Sequence, residues 1–430
     1  MEKSAYPIVA KYRLKERDDD GMFGPLLISN SSHPALIRIV RAFNNSNEVK
    51  LGYSTFKKGD GVVEPTMKKK NIYLTGTSAR DHLANQSFNF YVLVTDALPD
   101  EIRKILKSPL ANFKEIKPKV NDYDILKKYK DLPSDSNADY YFYASRWDQQ
   151  GQEIEVTAVA KGQKCYISTF CIHEKNRAIM PFKAKFTMEI EKDAATRDIT
   201  INAMYIKLKD AEGENSELLD PQGGMHDLKA GIIQLIKPSE KSFEKNPYLP
   251  FALCNVAARF AKNGILSRDM TAEILEFKHS HYDKHVLKRM FVSSIENPNV
   301  PVDKYIYNLR ISHLLQKIFP GLKLVDMCKK LDCSQIPNNK LITLALILED
   351  NSAEEVGKAL SELEMEDQDI EQIQFLIKLH HLIKNSSKDV EEIKNTFDQT
   401  ANVSKSVVKK FLSLLGAPQA YSHFINDKFV

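Results

Sequence analysis

The segment Asp193-Ala-Ala-Thr-Arg-Asp-Ile-Thr-Ile-Asn-Ala203 carries Arg197, Asp198 and Asn202 between small and apolar residues. Arg197, Asp198 and Asn202 are spaced so that positions 198 and 202 share a helix face. Alone, an exposed Arg-Asp pair reads as a surface ion pair of little energetic value. Further on, Leu219-Asp-Pro-Gln-Gly-Gly-Met-His-Asp-Leu-Lys-Ala-Gly231 makes a tight turn at Pro221 and Gly223-Gly224, and Asp227 can cap the segment after it. Upstream, Leu74-Thr-Gly-Thr-Ser-Ala-Arg-Asp81 ends a strand at Gly76 and opens a helix. Such a turn aims backbone N–H groups at a phosphate, and Arg80 adds a cation of fixed fork geometry. A single glycine in this position is by itself only a turn.

The surrounding chain alternates strands and helices. His33 to Phe43 has Leu36, Ile37, Val40 and Phe43 spaced for one helical face. Asn44 to Lys70 is rich in Gly, Lys and Asn and reads as a long loop or irregular hairpin. Asn71–Thr75 and Tyr91–Thr95 read as strands, with helices over Ser78–Leu83 and Pro99–Leu106. Glu153–Ala160 and Cys165–Phe170 are further strands. The strands then stop near Lys209. From about Phe243 to Val430 the apolar residues fall at helical spacing, as in Leu341, Leu344, Ala345 and Leu348, or Ile370, Ile373, Ile377 and His381.

At 430 residues with 43% apolar content, the chain has core for two or three domains, and 27% charged residues exclude a low-complexity sequence. The longest apolar-rich run, Leu341 to Leu348, is far short of the roughly 18–20 residues that cross a bilayer. Met1 to Arg17 is mixed and polar, with no signal-like segment. The five cysteines lack the doubled pair spacing of a zinc site and form no disulfide framework, so a reducing cytoplasm is expected. The net charge of +4 hides an asymmetry: residues 351–400 hold 12 acidic and 5 basic residues, while the other 380 hold 56 basic and 45 acidic. A basic front fits a polyanionic partner. Lys68, Lys69, Lys70, Lys117, Lys119, Lys127, Lys128 and Lys130 form either an RNA backbone patch or scattered solvated lysines. His279, His281, Asp283 and His285 place His281 and His285 one helical turn apart. Without a Glu between them or a fourth ligand nearby, they read as a solvated or partly packed helix face, as do His380 and His381.

Taken in order, the three quoted segments resemble the tRNA nucleotidyltransferase and bacterial poly(A) polymerase family. That family shows G-G-x-V-R-D, then R-R-D-F-T-I-N-A, then D-P-x-G-G-x-x-D-L. Thr196–Ala203 and Asp220–Leu228 match the last two closely. Ala257-Ala-Arg-Phe-Ala261 resembles the R-F-A end of the family's base-reading helix, and Arg289 to Pro320 its helical neck and body. The resemblance implies an α+β head of the polymerase-β-like nucleotidyltransferase fold, followed by an all-helical neck, body and tail. Residues 1–30 lack sustained periodicity and read as an extension, followed by a head over 31–209, a neck over 210–270, and a body and tail over 271–430. Gly76, Arg80, Asp81, Arg197, Asp198, Asn202 and Arg259 are the nucleotide- or RNA-binding residues the resemblance carries over. An active member adds nucleotides from ATP, or from CTP and ATP, to an RNA 3′ end, with paired carboxylates holding two Mg²⁺ ions.

The sequence departs from that pattern at the chemistry. The family's metal-binding D-x-D lies nine and eleven residues past the Asp of V-R-D. With Arg80-Asp81 and Thr95-Asp-Ala-Leu-Pro99 anchoring both ends, those positions fall on Phe90 and Val92. Neither side chain can ligate a hard cation, and a one-residue slip offers only Asn89, Tyr91 or Leu93. The second glycine of G-G is Thr77, and the first Arg of R-R-D is Thr196. The Arg that ends the family strand E-V-A-T-F-R is Ala160, although Glu155 survives as a weak metal candidate. No base-reading Asp or Arg can be placed in Glu244 to Asn255. The expectation is an RNA-binding, catalytically inactive member that takes a tRNA or mRNA 3′ end and needs no cofactor. Two alternatives stand beside it. One is an active transferase using Mg²⁺ and ATP or CTP with carboxylates from Glu153, Glu155 or Asp96. The other is a scaffold whose helices bind a protein partner. No membrane association is expected.

Overall fold

A computed structural model describes residues 10–14, 34–48, 57–58, 61–62, 69–116, 140–147, 152–160, 163–174, 183–208, 216–279, 281–326, 335–385 and 403–415. The chain divides into two compact units, one of residues 1–230 and 234–246, the other of 231–233 and 247–430.

The first unit is built on a mixed sheet. Its strands are β1 (Ala10–Leu14), β2 (Ile72–Thr75), β3 (Phe90–Thr95), β4 (Lys114–Glu115), β5 (Tyr140–Trp147), β6 (Glu153–Ala160), β7 (Gln163–Thr169), β8 (Tyr205–Lys207) and β9 (Ser216–Asp220). Their order is β1-β9-β8-β2-β3-β7-β6-β5-β4. Only β3 with β7 and β4 with β5 run parallel. Because side chains alternate across a strand, each strand feeds two layers. On one face, helix α1 (Pro34–Asn44) lies against β6 and β7, and α3 (Pro99–Lys107) against β6. They bury Leu36, Ile39, Val40, Phe43, Ile102, Ile105 and Leu106. On the other face, Tyr73, Val94, Phe170, Ala194, Ala203, Tyr205 and Leu219 form a second core. Helix α2 (Gly76–Leu83) follows β2 directly.

The sequence expectation holds for the strands at 72–75, 90–95, 153–160 and 163–169, and for α1, α2 and α3. It fails in two places and leaves a third strand unread. Ala10–Leu14, read as extension, is an edge strand paired antiparallel with β9, Ala10 opposite Asp220. The sheet does not stop near Lys209, because Ser216–Asp220 pairs with both β1 and β8. The aromatic stretch Tyr140–Trp147 is a strand between β6 and β4. Of the lysine patch, Lys70 is buried and its ammonium lies 2.9 Å from Glu101. Lys69 is exposed, and Lys68, Lys117, Lys119, Lys127, Lys128 and Lys130 lie outside the described residues.

Among its described residues, the regular elements of the second unit are all helices. Its long helices are α4 (Leu249–Phe260), α5 (Arg268–Glu276), α6 (Lys284–Ile295), α7 (Val302–Ile311), α8 (Lys340–Leu348), α9 (Ala353–Glu362), α10 (Asp367–Asn385) and α11 (Lys405–Leu414). Local sequence sets their starts. Ser267, Asp283, Asn339 and Ser404 each accept a backbone N–H of the first turn, and Ser352 with Glu355 completes a capping box. The fully buried Asn308 joins α7 to α4, donating to the carbonyls of Cys254 (3.3 Å) and Gly264 (2.9 Å). Among the described residues no helix is long and apolar enough to cross a membrane.

Candidate functional site

The three motif turns of the sequence meet in the first unit. Thr75, in extended backbone, precedes α2, and Gly76 takes φ +60°, a left-handed conformation natural to glycine. A Cβ at Gly76 would stand 3.5 Å from Arg197 Nη1 and 3.6 Å from Val92 Cγ1. The glycine turn, the arginine of the second motif and the altered strand therefore converge on one spot. Ser78 fixes the strand there. Its hydroxyl donates to the Phe90 carbonyl (3.0 Å) and accepts the Val92 N–H (3.0 Å), beyond the reach of the β2–β3 ladder.

Arg197 is held from behind. Its Nε and Nη2 reach Asp193 Oδ2 at 3.2 and 2.9 Å. The same carboxylate accepts the Tyr205 hydroxyl at 2.6 Å and, through Oδ1, the Cys171 N–H at 2.9 Å. Burial alone pulls the guanidinium pKa down, but the neighbouring Asp193 outweighs it with help from Tyr205, so the charge is held more firmly than usual. Arg80 and Asp81 are both buried, and the Arg80 guanidinium contacts Asp81 Oδ1 (2.9 and 2.8 Å) and Asn202 Oδ1 (3.0 Å). Asn202 in turn donates to Asp198 Oδ1 at 3.1 Å. Asp198 and Asn202 thus meet, but across a short 3₁₀ turn at Thr200–Asn202 rather than on an α-helical face.

The two later motifs also pack on each other. Asp220 accepts the N–H groups of Gly224 (2.8 Å) and Met225 (2.9 Å). Burial nevertheless raises its pKa above the usual carboxylate value. The Thr200 hydroxyl donates to Asp227 at 2.6 Å, and a Cβ at Gly224 would stand 2.3 Å from the Thr200 carbonyl oxygen. These residues hold one segment on the other.

Two-metal chemistry needs hard oxygen donors side by side. Phe90 and Val92 offer carbon. The three displaced carboxylates are engaged elsewhere: Asp96 accepts the Asn71 N–H (2.7 Å) and side-chain amide (2.8 Å), and Glu153 pairs with Arg103. Glu155 accepts the Ser145 hydroxyl at 3.0 Å. Burial raises the Glu155 pKa, with Arg146 and Ser145 opposing. Among the described residues no three His, Cys, Asp or Glu side chains are grouped to hold an ion. The donor set does not fit a pair of Mg²⁺ ions.

Arg259 lies in the last turn of α4, in the second unit, with its guanidinium 4.6 Å from the Phe260 ring centre. The histidine cluster does not share one helix face. Asp283 caps α6, His279 and His281 precede it, and both histidines line a cleft of about 960 Å³ with Tyr282, Lys284, His313 and Lys317. His285 Nδ1 lies 3.5 Å from Glu364. The residues that sequence reasoning missed are Ser78, Asp193 and Tyr205. All stand in or beside the quoted motifs: Ser78 bonds strand β3, Asp193 reaches Arg197 and Cys171, and Tyr205 closes on Asp193.

The sequence model of the poly A polymerase head domain matches residues 72–234. A poly(A) polymerase I of Salmonella typhimurium is 25% identical over 252 residues, covering 58% of this chain and 47% of the relative. A multifunctional CCA protein of Ectopseudomonas mendocina is 33% identical over 94 residues, 22% of this chain and 21% of the relative. The chain thus spans between about a fifth and about half the length of these curated relatives. The Bacillus stearothermophilus CCA-adding enzyme in complex with CTP aligns with TM-score 0.59 at 14% identity, over 92% of this chain and 82% of that one. The Thermotoga maritima CCA-adding enzyme complexed with tRNA aligns with TM-score 0.54 at 16% identity, over 93% and 84%. Residues 72–234 thus match the poly A polymerase head domain, and the chain has the fold of the CCA-adding enzymes.

Proposed function

We propose that this chain binds the 3′ end of an RNA, a tRNA or an mRNA, without adding nucleotides to it. One observation carries the loss of catalysis: Val92 Cγ1 lies 3.6 Å from where a Cβ on Gly76 would stand, and Phe90 stands two residues before it on the same face. That spot is where the family's acids are expected, and Phe90 and Val92 bring only carbon to it, beside the Arg197 guanidinium. The support for RNA is the family itself, the likeness to a CCA-adding enzyme complexed with tRNA, and the excess of basic residues outside 351–400. Arg197 presents Nη1 at the glycine turn, so an anionic group there meets a cation and the N–H groups opening α2.

The test uses purified protein with labelled ATP or CTP, Mg²⁺ and tRNA or oligoadenylate. The expected result is retention of RNA on a filter, falling steeply with salt, and no incorporation. Metal-dependent incorporation would refute the catalytic half of the proposal. Negligible retention at low salt would favour a protein-binding scaffold.

A further inference from the structure

Phe90 is 39% exposed, one of few large apolar side chains so exposed among the described residues. An aromatic ring standing in water on a sheet face adds nothing to the core beneath it. Its backbone is nevertheless pinned on both sides of the strand position by Ser78. Its ring meets the Tyr166 ring edge-to-face, with centres 5.6 Å apart at 77°. The parallel register sets Phe90 opposite Lys164 and Val92 opposite Tyr166, so these four side chains share one face. Lys164 is exposed, and Tyr166 is half-buried. At the other end of the row stands Gly76 with Arg197 Nη1. A flat apolar surface is thus bracketed by a lysine and an arginine. The nearby carboxylate of Glu155 is held by the Ser145 hydroxyl and offset by Arg146.

A ligand matching this pattern has a flat π face joined to anionic groups. An acyl chain lacks the π face, and an apolar peptide lacks the charge. We propose that Phe90 and Tyr166 form a stacking platform for the 3′-terminal base of a single-stranded RNA, its phosphates lying toward Lys164 and Arg197. The inference rests on the RNA-binding reading given above and names the part of the RNA that this face takes. Base stacking on aromatic side chains tolerates any base, so this platform favours an unpaired end over a particular sequence.

The test compares two oligoadenylates, one with 2-aminopurine at the 3′ terminus and one with it in the middle. Filter retention is measured beside emission. The expected result is quenching of the terminal probe alone. F90A should abolish that quenching and weaken binding about tenfold. F90W should restore both. Since Phe90 is exposed, F90A leaves the core intact. Retention of RNA with unchanged terminal emission, or F90A behaving as wild type, overturns the platform and leaves RNA binding standing. Quenching of a free 2-aminopurine nucleotide but not of the oligomer overturns it in favour of a mononucleotide site. Absence of retention at low salt overturns the RNA-binding reading and the platform together.

Discussion

At the scale of single residues, the Asp193 carboxylate is the hub of the site. It satisfies Arg197, Tyr205 and the Cys171 N–H while being almost wholly buried. D193N keeps the shape but leaves a guanidinium without its counter-charge. The expected loss is about 3 kcal/mol in urea unfolding, as for a broken buried pair. Glu155 makes the opposite prediction. Its pKa is raised in the folded protein, chiefly by burial, so the folded state binds the proton more tightly than the unfolded chain. The stabilising contribution is present below the unfolded carboxylate pKa and is lost as pH rises through the folded value. E155Q should therefore be more stable than wild type at neutral pH, and the difference should vanish in acid. A thermal melt at pH 4 and at pH 7 reads this directly, and an equal effect at both values would contradict it.

At the scale of elements, Gly224 shows why the Gly-Gly turn needs a residue without a side chain. A Cβ there would press 2.3 Å from a backbone oxygen of Thr200, which no side-chain rotation relieves. G224A should cost about 3 kcal/mol through forced separation of the two motifs. The check is a urea midpoint shift, and a near-neutral midpoint would sink this packing account. Helices α1, α2 and α3 and strands β2, β3, β6 and β7 were legible in the sequence because their apolar periodicity is local. Strand β1 was not, because Ala10–Leu14 owes its conformation to pairing with Ser216–Asp220 far along the chain. The run Tyr140–Trp147 has no clean alternation of polar and apolar residues to mark it as a strand. Site geometry was legible in part. The motif order brought Gly76, Arg197 and Val92 to attention, and the structure sets them side by side. Sequence could not show that Arg80 is buried against Asp81 and Asn202, or that Lys70 is in a buried ion pair with Glu101, since burial is a property of the assembled unit.

At the scale of the whole molecule, a unit matching the poly A polymerase head domain is followed by a helical unit, and a basic balance covers most of the chain. If phosphate contacts supply the affinity for RNA, raising salt from about 50 to about 200 mM should weaken binding by orders of magnitude. A flat response would place the interaction on other chemistry. On the proposed reading, Phe90 and Val92 deny the cleft the carboxylates that nucleotide addition needs. The most direct measurement is Mg²⁺-dependent incorporation of labelled ATP or CTP into an RNA 3′ end by the purified full chain, with F90D/V92D run in parallel. No incorporation by the native chain, and any gain by the double variant, is the expected result. Metal-dependent incorporation by the native chain would contradict the claim that its nucleotide-adding chemistry is gone.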